Sequence, residues 1–218
     1  MLDRVSTGQA VERDWLAWHA GYDRPSDQRR RLQVVRNEIR LALDAQPPGT
    51  VRVISLCAGQ GRDILPVVAC HRRRADVRAR LVELDPRNTR IAAAVAERLE
   101  LPDVEVVTGD ASLTSGFADA VPADIVLVCG VFGNVAAPDV EHTIRELPTL
   151  CAAGAAVVWT RGRRAPDLRA AIRRWFGLYG FAERSFHGEP ETYGVGVHVL
   201  ASEPRPFDPS VRLFTFFR

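Results

Sequence analysis

Two glycines one residue apart, Gly59 and Gly61, stand where an apolar, β-branched run gives way to a helical pattern, and Glu83 follows Gly59 by 24 residues. Glycines at such a junction let the backbone turn sharply and let a ligand approach it closely, while the first amides of the following helix point free N–H groups at that ligand. A Gly-x-Gly pair alone is a weak signal, because any tight strand-to-helix turn uses one. Its register with two acids strengthens it. Glu83 closes the strand-like run 79–84, and Asp110 follows the run 104–108 through Gly109. A carboxylate at Glu83 can accept from both hydroxyls of a ribose, about 1.5–3 kcal/mol for each charge-assisted hydrogen bond. Asp110 can accept from an adenine amino group. A fourth run ends in Cys129-Gly130 and continues through Gly133 to Asn134, a small and flexible platform. Successive strand ends thus offer an adenosine site. Singly, Glu83 or Asp110 reads as a helix cap or a surface acid, and Asp85, before Pro86, reads as the cap of the next helix.

The elements that must position these residues alternate. Residues 1–49 read as two helices: one opened by Ser6-x-x-Gln9 with Val11, Trp15, Trp18 and Tyr22 on one face, and one capped by Ser26 with Leu32, Val35, Ile39 and Leu43 inward. From Val51 onward strands are predicted at 51–57, 79–84, 104–108, 124–129 and 155–161. Helices are expected at 62–71, at 86–99 with Ile91, Val95 and Leu99 inward, at 139–150, and at 167–176 with Leu168, Ala171, Ile172 and Trp175 inward. This is the pattern of a doubly wound parallel sheet, whose ligands bind beyond the carboxyl ends of the strands where strand order reverses. Residues 181–186 and 193–200 are joined by a connection too short for a crossover helix, so an antiparallel hairpin closes the sheet. The apolar tail 211–217 is expected to dock as a further strand or edge segment.

Composition narrows the chemistry. The chain has 218 residues, 46% hydrophobic and 26% charged, which predicts one globular domain: a helical extension at 1–49 and a core at 50–218. All 29 basic residues are arginine. Without lysine there is no P-loop lysine, no Schiff base and no lysine general base. A formal charge of +2 does not argue for nucleic acid. No spanning helix and no signal peptide is read, so a cytoplasmic location is expected. Cys57, Cys70, Cys129 and Cys151 lack C-x-x-C spacing and read as small hydrophobes.

Over residues 51–159, half of the chain, the sequence resembles the class I S-adenosylmethionine-dependent methyltransferases. The stretch 55–61 is similar to their glycine-rich first motif, Glu83 to the ribose-binding acid, Asp110 to the adenine-contacting acid, and 129–134 to the segment lining the methyl-transfer site. The resemblance implies an α/β fold, a Rossmann-like, mostly parallel seven-stranded sheet with an antiparallel C-terminal hairpin and an N-terminal helical lid. It also implies an S-adenosylmethionine site formed by Cys57, Ala58, Gly59, Gly61, Arg62 and Asp63 with Glu83, Leu84, Asp110, Ala111, Cys129 and Gly130. Two positions depart from the family. Ser55 stands where an acid that anchors the methionine amino group is usual, and Cys57 where glycine is usual; Asp63 is a candidate substitute for the acid.

Acceptor contacts are expected from position: His19 and Tyr22 on the lid, Asn134 beyond the fourth strand and Arg161 at the end of the fifth. Trp15 and Trp18 pack in the lid or stack on an acceptor. His142 reads as solvent-facing, His187 as a loop residue and His198 as a residue on a sheet face. The Asn/Asp-Pro-Pro-Tyr/Phe sequence expected for amino-group methylation of bases, the paired-glutamate loop of arginine methyltransferases and the Asp, Asp, Asn metal set of catechol-type enzymes are all missing. A metal-independent O- or N-methyltransferase for a small-molecule acceptor is therefore expected, with no nucleic-acid or membrane partner; oligomeric state is not readable. Two alternatives stay open: an S-adenosylmethionine-binding protein without methyl transfer, and an NAD(P)-dependent oxidoreductase. Against the second, Asp63 or Ile64 stands where a third glycine would be expected.

Overall fold

Strand order reverses between two neighbouring parallel strands at the middle of the sheet, and the rest of the architecture follows from that point. The computed structural model describes Tyr22 and residues 25–217; the first expected helix, with Val11, Trp15, Trp18 and His19, lies outside the described residues. The elements are α1 Asp27–Ala45, β1 Val51–Leu56, α2 Leu65–Cys70, β2 Val77–Glu83, α3 Pro86–Arg98, β3 Val104–Thr108, β4 Ala123–Val128, α4 Ala137–Glu146, β5 Cys151–Gly162, α5 Arg169–Leu178, β6 Phe181–His187 and β7 Tyr193–Leu200, with short 3-10 turns between some of them. They form one seven-stranded sheet in the order β3-β2-β1-β4-β5-β7-β6. β1 pairs in parallel with β2 on one side and β4 on the other, while β7 runs antiparallel to both β5 and β6. The expected seven-stranded, mostly parallel sheet with an antiparallel hairpin is the observed one.

Successive side chains of each strand point to opposite sides, and in the central strands both faces are buried. Ile54, Leu56, Val126, Val128, Val157 and Trp159 enter one core with Phe176 and Phe214. Val51, Val53, Ile125, Leu127 and Val158 enter the other with Ile39 and Leu43 of α1. The Trp159 ring stacks with Phe176 and Phe186 and lies across Gly196, where an added Cβ would fall 2.4 Å from it. Its indole N–H donates to His198 Nδ1 at 3.0 Å. His198 is 1% exposed, and burial pushes its pKa down to about 4.

Several expectations are corrected. The helix expected at 62–71 begins at Leu65, because the turn after β1 runs on to Ile64; Asp63 therefore precedes the helix instead of lying inside its first turn. In α3 the expected Val95 and Leu99 pack half-buried against the core, but Ile91 is 38% exposed, and the fully buried residues are Asn88, Thr89, Ala92 and Ala96. Polar side chains take that face because Thr89 Oγ1 meets Thr108 Oγ1 at 2.8 Å and Asn88 Oδ1 accepts from Gln60 at 3.1 Å. The helix expected to run to residue 150 ends at Glu146 and tightens into a 3-10 turn. His187 ends β6 and bonds Glu38 of α1 at 2.8 Å, and His142 is half-buried, with Nε2 3.0 Å from the Arg212 carbonyl. The tail does not add a strand. It makes isolated bridges from Arg212 to Leu113 and from Phe216 to Val135, and buries Leu213 and Phe214. Among the described residues no helix is long and apolar enough to cross a membrane.

The end of α1 is secured by one side chain. Arg73 donates to the carbonyls of Leu43, Gln46, Pro47 and Gly49 and pairs with Asp76 at 3.0 Å. A helix end leaves its last carbonyls without intrahelical partners, and a cation there also meets the negative end of the dipole. Arg73→Ala is expected to lower unfolding stability by about 2–3 kcal/mol, measured by urea denaturation.

Candidate functional site

After β1 the chain turns through three left-handed residues, Cys57, Gly59 and Gly61, with φ of 53°, 56° and 64°. Cys57 thus holds a conformation that glycine adopts without strain, about 1–2 kcal/mol dearer for a residue with a Cβ. The turn is tied to the neighbouring strand: the Ala58 amide donates to the Val82 carbonyl at 3.0 Å and the Gly59 amide to Glu83 Oε2 at 2.9 Å. Glu83 Oε1 accepts the Asp85 amide at 2.9 Å. Both oxygens of this buried carboxylate therefore clamp backbone on either side of it, and each retains a further lone pair. From α1, Arg36 donates twice to the Arg62 carbonyl, at 2.9 and 2.7 Å.

Beyond these strand ends lies a cavity of about 790 Å³, within the range of small-molecule sites. Cys57, Ala58, Gly59, Arg62 and Asp63 line it, as do Glu83 at the end of β2 and Leu84 just after it, Asp110 and Ala111 after β3, and Cys129 and Gly130 after β4. Gly61 lies beneath the lining, where a Cβ would fall 2.7 Å from Leu65 Cδ1. Of the expected acceptor-side residues, Tyr22 and Asn134 line the cavity and His19 is outside the described residues. Ser55 is buried within β1, 1% exposed, and is not part of the lining.

Charge varies across the cavity. Burial would raise the Asp110 carboxyl, but hydrogen bonds from Ser112 and Arg212 outweigh it and hold the group below the ordinary range. The Ser112 amide lies 2.9 Å from Oδ1 and Arg212 Nη1 3.2 Å from Oδ2, so the C-terminal tail contributes to this edge. Asp63 is pushed the other way: burial lifts it to about 6, against hydrogen bonding from the Ile64 amide and the charge of Arg36. Burial also raises the Cys57 and Cys129 thiols well above their usual range, which keeps them neutral and unreactive. The Tyr22 phenol is raised by burial, with Arg31 acting against the shift.

Sequence reasoning passed over Gln60 and Asn88. Arg62 Nε donates to Gln60 Oε1 at 3.0 Å, and Gln60 donates to Asn88 Oδ1 at 3.1 Å. Asn88 Nδ2 is buried with no acceptor and its residue lines the cavity. The available signal was a polar residue in the first turn of α3, where no apolar stripe needs it. On the platform after β4, Gly130 has φ 82°, donates to Thr160 Oγ1 at 2.8 Å, and leaves no atom within 4 Å of an added Cβ. Asn134 Nδ2 donates to the Gly130 carbonyl at 2.6 Å. This set fits an adenosine carrying a charged amino-acid tail: paired acceptors for a ribose, an acid beside it, an orphaned amide and open space over glycine. Among the described residues no group of three or more His, Cys, Asp or Glu side chains is placed to hold a metal ion.

No family model matches the chain, and no curated protein matches its sequence. Solved structures do match its fold. Magnesium protoporphyrin IX methyltransferase from Synechocystis PCC 6803, solved with S-adenosylhomocysteine, superposes with a TM-score of 0.64 at 14% identity over 84% of this chain and 92% of that one. An O-methyltransferase family protein from Burkholderia thailandensis gives 0.64 at 18% identity, over 86% and 60%. An RNA methyltransferase from Salinibacter ruber, with S-adenosylhomocysteine, gives 0.53 at 22% identity, over 82% and 96%. The chain has the Rossmann-like fold of the class I methyltransferases.

Proposed function

We propose that this chain is an S-adenosylmethionine-dependent methyltransferase that acts, without a metal, on an oxygen or nitrogen of a small-molecule acceptor. One observation carries the reading: at the reversal of strand order, the glycine turn and a buried Glu83 are locked together by the Gly59 amide, at the rim of a cavity large enough for a nucleoside and a second molecule. Neighbours of the same fold were solved with S-adenosylmethionine or S-adenosylhomocysteine, and residues at the β1, β2 and β3 ends line one cavity, which supports the reading.

The roles divide by strand. Glu83 accepts from the ribose hydroxyls, Asp110 and Leu84 border the adenine, and Cys57, Ala58, Gly59, Arg62 and Asp63 hold the amino-acid end, with Gly61 shaping the turn beneath them. Ala111 lines the nucleoside side, and Cys129 and Gly130 form the floor. The bound cofactor supplies a methyl group on a sulfonium, already activated for in-line displacement. The chain then contributes mostly by holding the acceptor in line, a term worth about 7–11 kcal/mol in well-oriented systems. Tyr22, protonated at neutral pH, and Asn134 face the acceptor as hydrogen-bonding groups; His19 is proposed to join them from the lid. A small acceptor is favoured by the walls that α1 and the tail add to the cavity through Arg31 and Phe216.

Release of S-adenosylhomocysteine from S-adenosylmethionine, assayed with a panel of small hydroxyl and amino acceptors, tests the activity. Turnover supports it; bound cofactor with no turnover on any acceptor favours a non-catalytic cofactor protein. Asp63 gives a separate test. Its pKa of about 6 in the free protein means that a cationic amino group must expel a proton from it at lower pH. Affinity for S-adenosylhomocysteine is therefore expected to be level above about pH 7 and to fall by up to about tenfold per unit below about pH 6. Asp63→Asn should flatten that profile in calorimetric titrations; an unchanged profile removes Asp63 from the role.

A further inference from the structure

Arg161 is the penultimate residue of β5 and is 6% exposed, yet it lines the cavity. Glu83 and Asp110 lie on the β2 and β3 side of the reversal and Arg161 on the β5 side, so it belongs to the half left for the acceptor. Its Nη1 donates to the Phe132 carbonyl at 2.8 Å and its Nη2 to the Pro166 carbonyl at 3.0 Å. Both acceptors are neutral, and the Nε–H is buried with none. No carboxylate forms an ion pair with it among the described residues. Asp167 acts on it only through space, and its oxygens are taken by Arg169 at 2.8 and 2.9 Å. Arg164, also in the lining, adds a like charge.

A guanidinium does not shed its proton, so a buried one is stable when a counter-charge answers it. At the other buried arginine of this region the answer is internal: Arg169 has Asp167 and Glu189. At Arg161 it is missing from the described protein, and the space beside the group is a cavity. Gly133 leaves that side uncovered; an added Cβ there would sit 3.8 Å from Nη1.

We propose that the acceptor carries a carboxylate that docks against Arg161, so that the site selects small carboxylic acids over their neutral counterparts. The proposal rests on the methyltransferase reading, since it assigns the acceptor half of that site. One buried charge suits a monoanion, and the planar guanidinium matches the planar carboxylate better than it matches a phosphate dianion.

The test uses the full-length protein saturated with S-adenosylhomocysteine, titrated in a calorimeter with matched probes: para-hydroxybenzoate against para-hydroxybenzamide, lactate against lactamide, and phenyl phosphate. At least one acid is expected to bind on the order of tenfold or more tightly than its amide. Arg161→Met should bring the pair within about twofold, and Arg161→Lys should restore much of the difference. A residue that merely staples the Phe132 and Pro166 carbonyls would lower stability in Arg161→Met without moving the acid-to-amide ratio. If Arg161→Met does not fold, Arg161→Gln, whose neutral amide can still donate to one of the two carbonyls, is read in its place and should likewise bring acid and amide within about twofold. Equal binding of acid and amide, no binding of either, a preference for the phosphate, or discrimination that survives the loss of Arg161 each overturns the proposal. Failure of the wild type to bind S-adenosylhomocysteine overturns the methyltransferase reading instead, so the two failures are distinct.

Discussion

Glu83→Ala is expected to lower affinity for S-adenosylhomocysteine by on the order of a hundredfold or more and, unlike a change confined to a ligand contact, to destabilise the free protein as well. The first effect follows from losing charge-assisted acceptors for two ribose hydroxyls, about 1.5–3 kcal/mol each. The second comes from the clamp: the Gly59 and Asp85 amides, each 2.9 Å from a Glu83 oxygen, are left without their acceptor. Orphaning two such donors costs about 2–6 kcal/mol in total. Glu83→Gln separates the roles. Its carbonyl oxygen keeps one of the two amides, while its NH2 opposes the other, so stability should recover in part and ligand affinity much less. Titration calorimetry and urea denaturation on the same preparations read both effects. A folded Glu83→Ala protein with unchanged affinity contradicts the ribose role.

Gly61→Val should remove ligand binding by a different route. A Cβ at this position falls 2.7 Å from Leu65 Cδ1 and 3.1 Å from Leu81 Cδ2, side chains fixed in the core beneath the turn. The backbone there is left-handed, with φ 64°. Conformational strain of about 1–2 kcal/mol and overpacking of about 1–3 kcal/mol add to a loss of about 2–5 kcal/mol. The turn must move, and it carries the Gly59 amide with it. Gly130→Ala is the informative contrast. It has a similar backbone, φ 82°, but an added Cβ meets nothing within 4 Å, so only the backbone cost remains. Its loss of stability should be smaller, as thermal unfolding will measure, while the methyl group encroaches on the ligand floor.

The strand ends were legible in the sequence for a physical reason. Both faces of the central strands are buried, so those strands are largely apolar runs bounded by turns, and the residues that follow such parallel runs must gather at one end. That placed Gly59, Glu83, Asp110 and Gly130 at the same cavity. What escaped depended on contacts distant in the chain or on polar burial. Arg212 reaches Asp110 and Ser112 from the tail, and no local pattern announces that pairing. Asn88 and Thr89 took the inward face of α3 because Gln60 and Thr108 satisfy them, whereas hydrophobic periodicity had assigned that face to Ile91. Arg161 was legible as a strand-end residue, but its burial was not, since a charged residue in sequence reads as exposed.

The most direct measurement is a calorimetric titration of the full-length protein with S-adenosylhomocysteine and, in parallel, with NAD. The adenosyl site proposed at the β1, β2 and β3 ends predicts one site per chain for S-adenosylhomocysteine, with a Kd of about 100 μM or tighter, and no saturable heat with NAD. A folded protein that gives no heat with S-adenosylhomocysteine, or that binds NAD in its place, contradicts it.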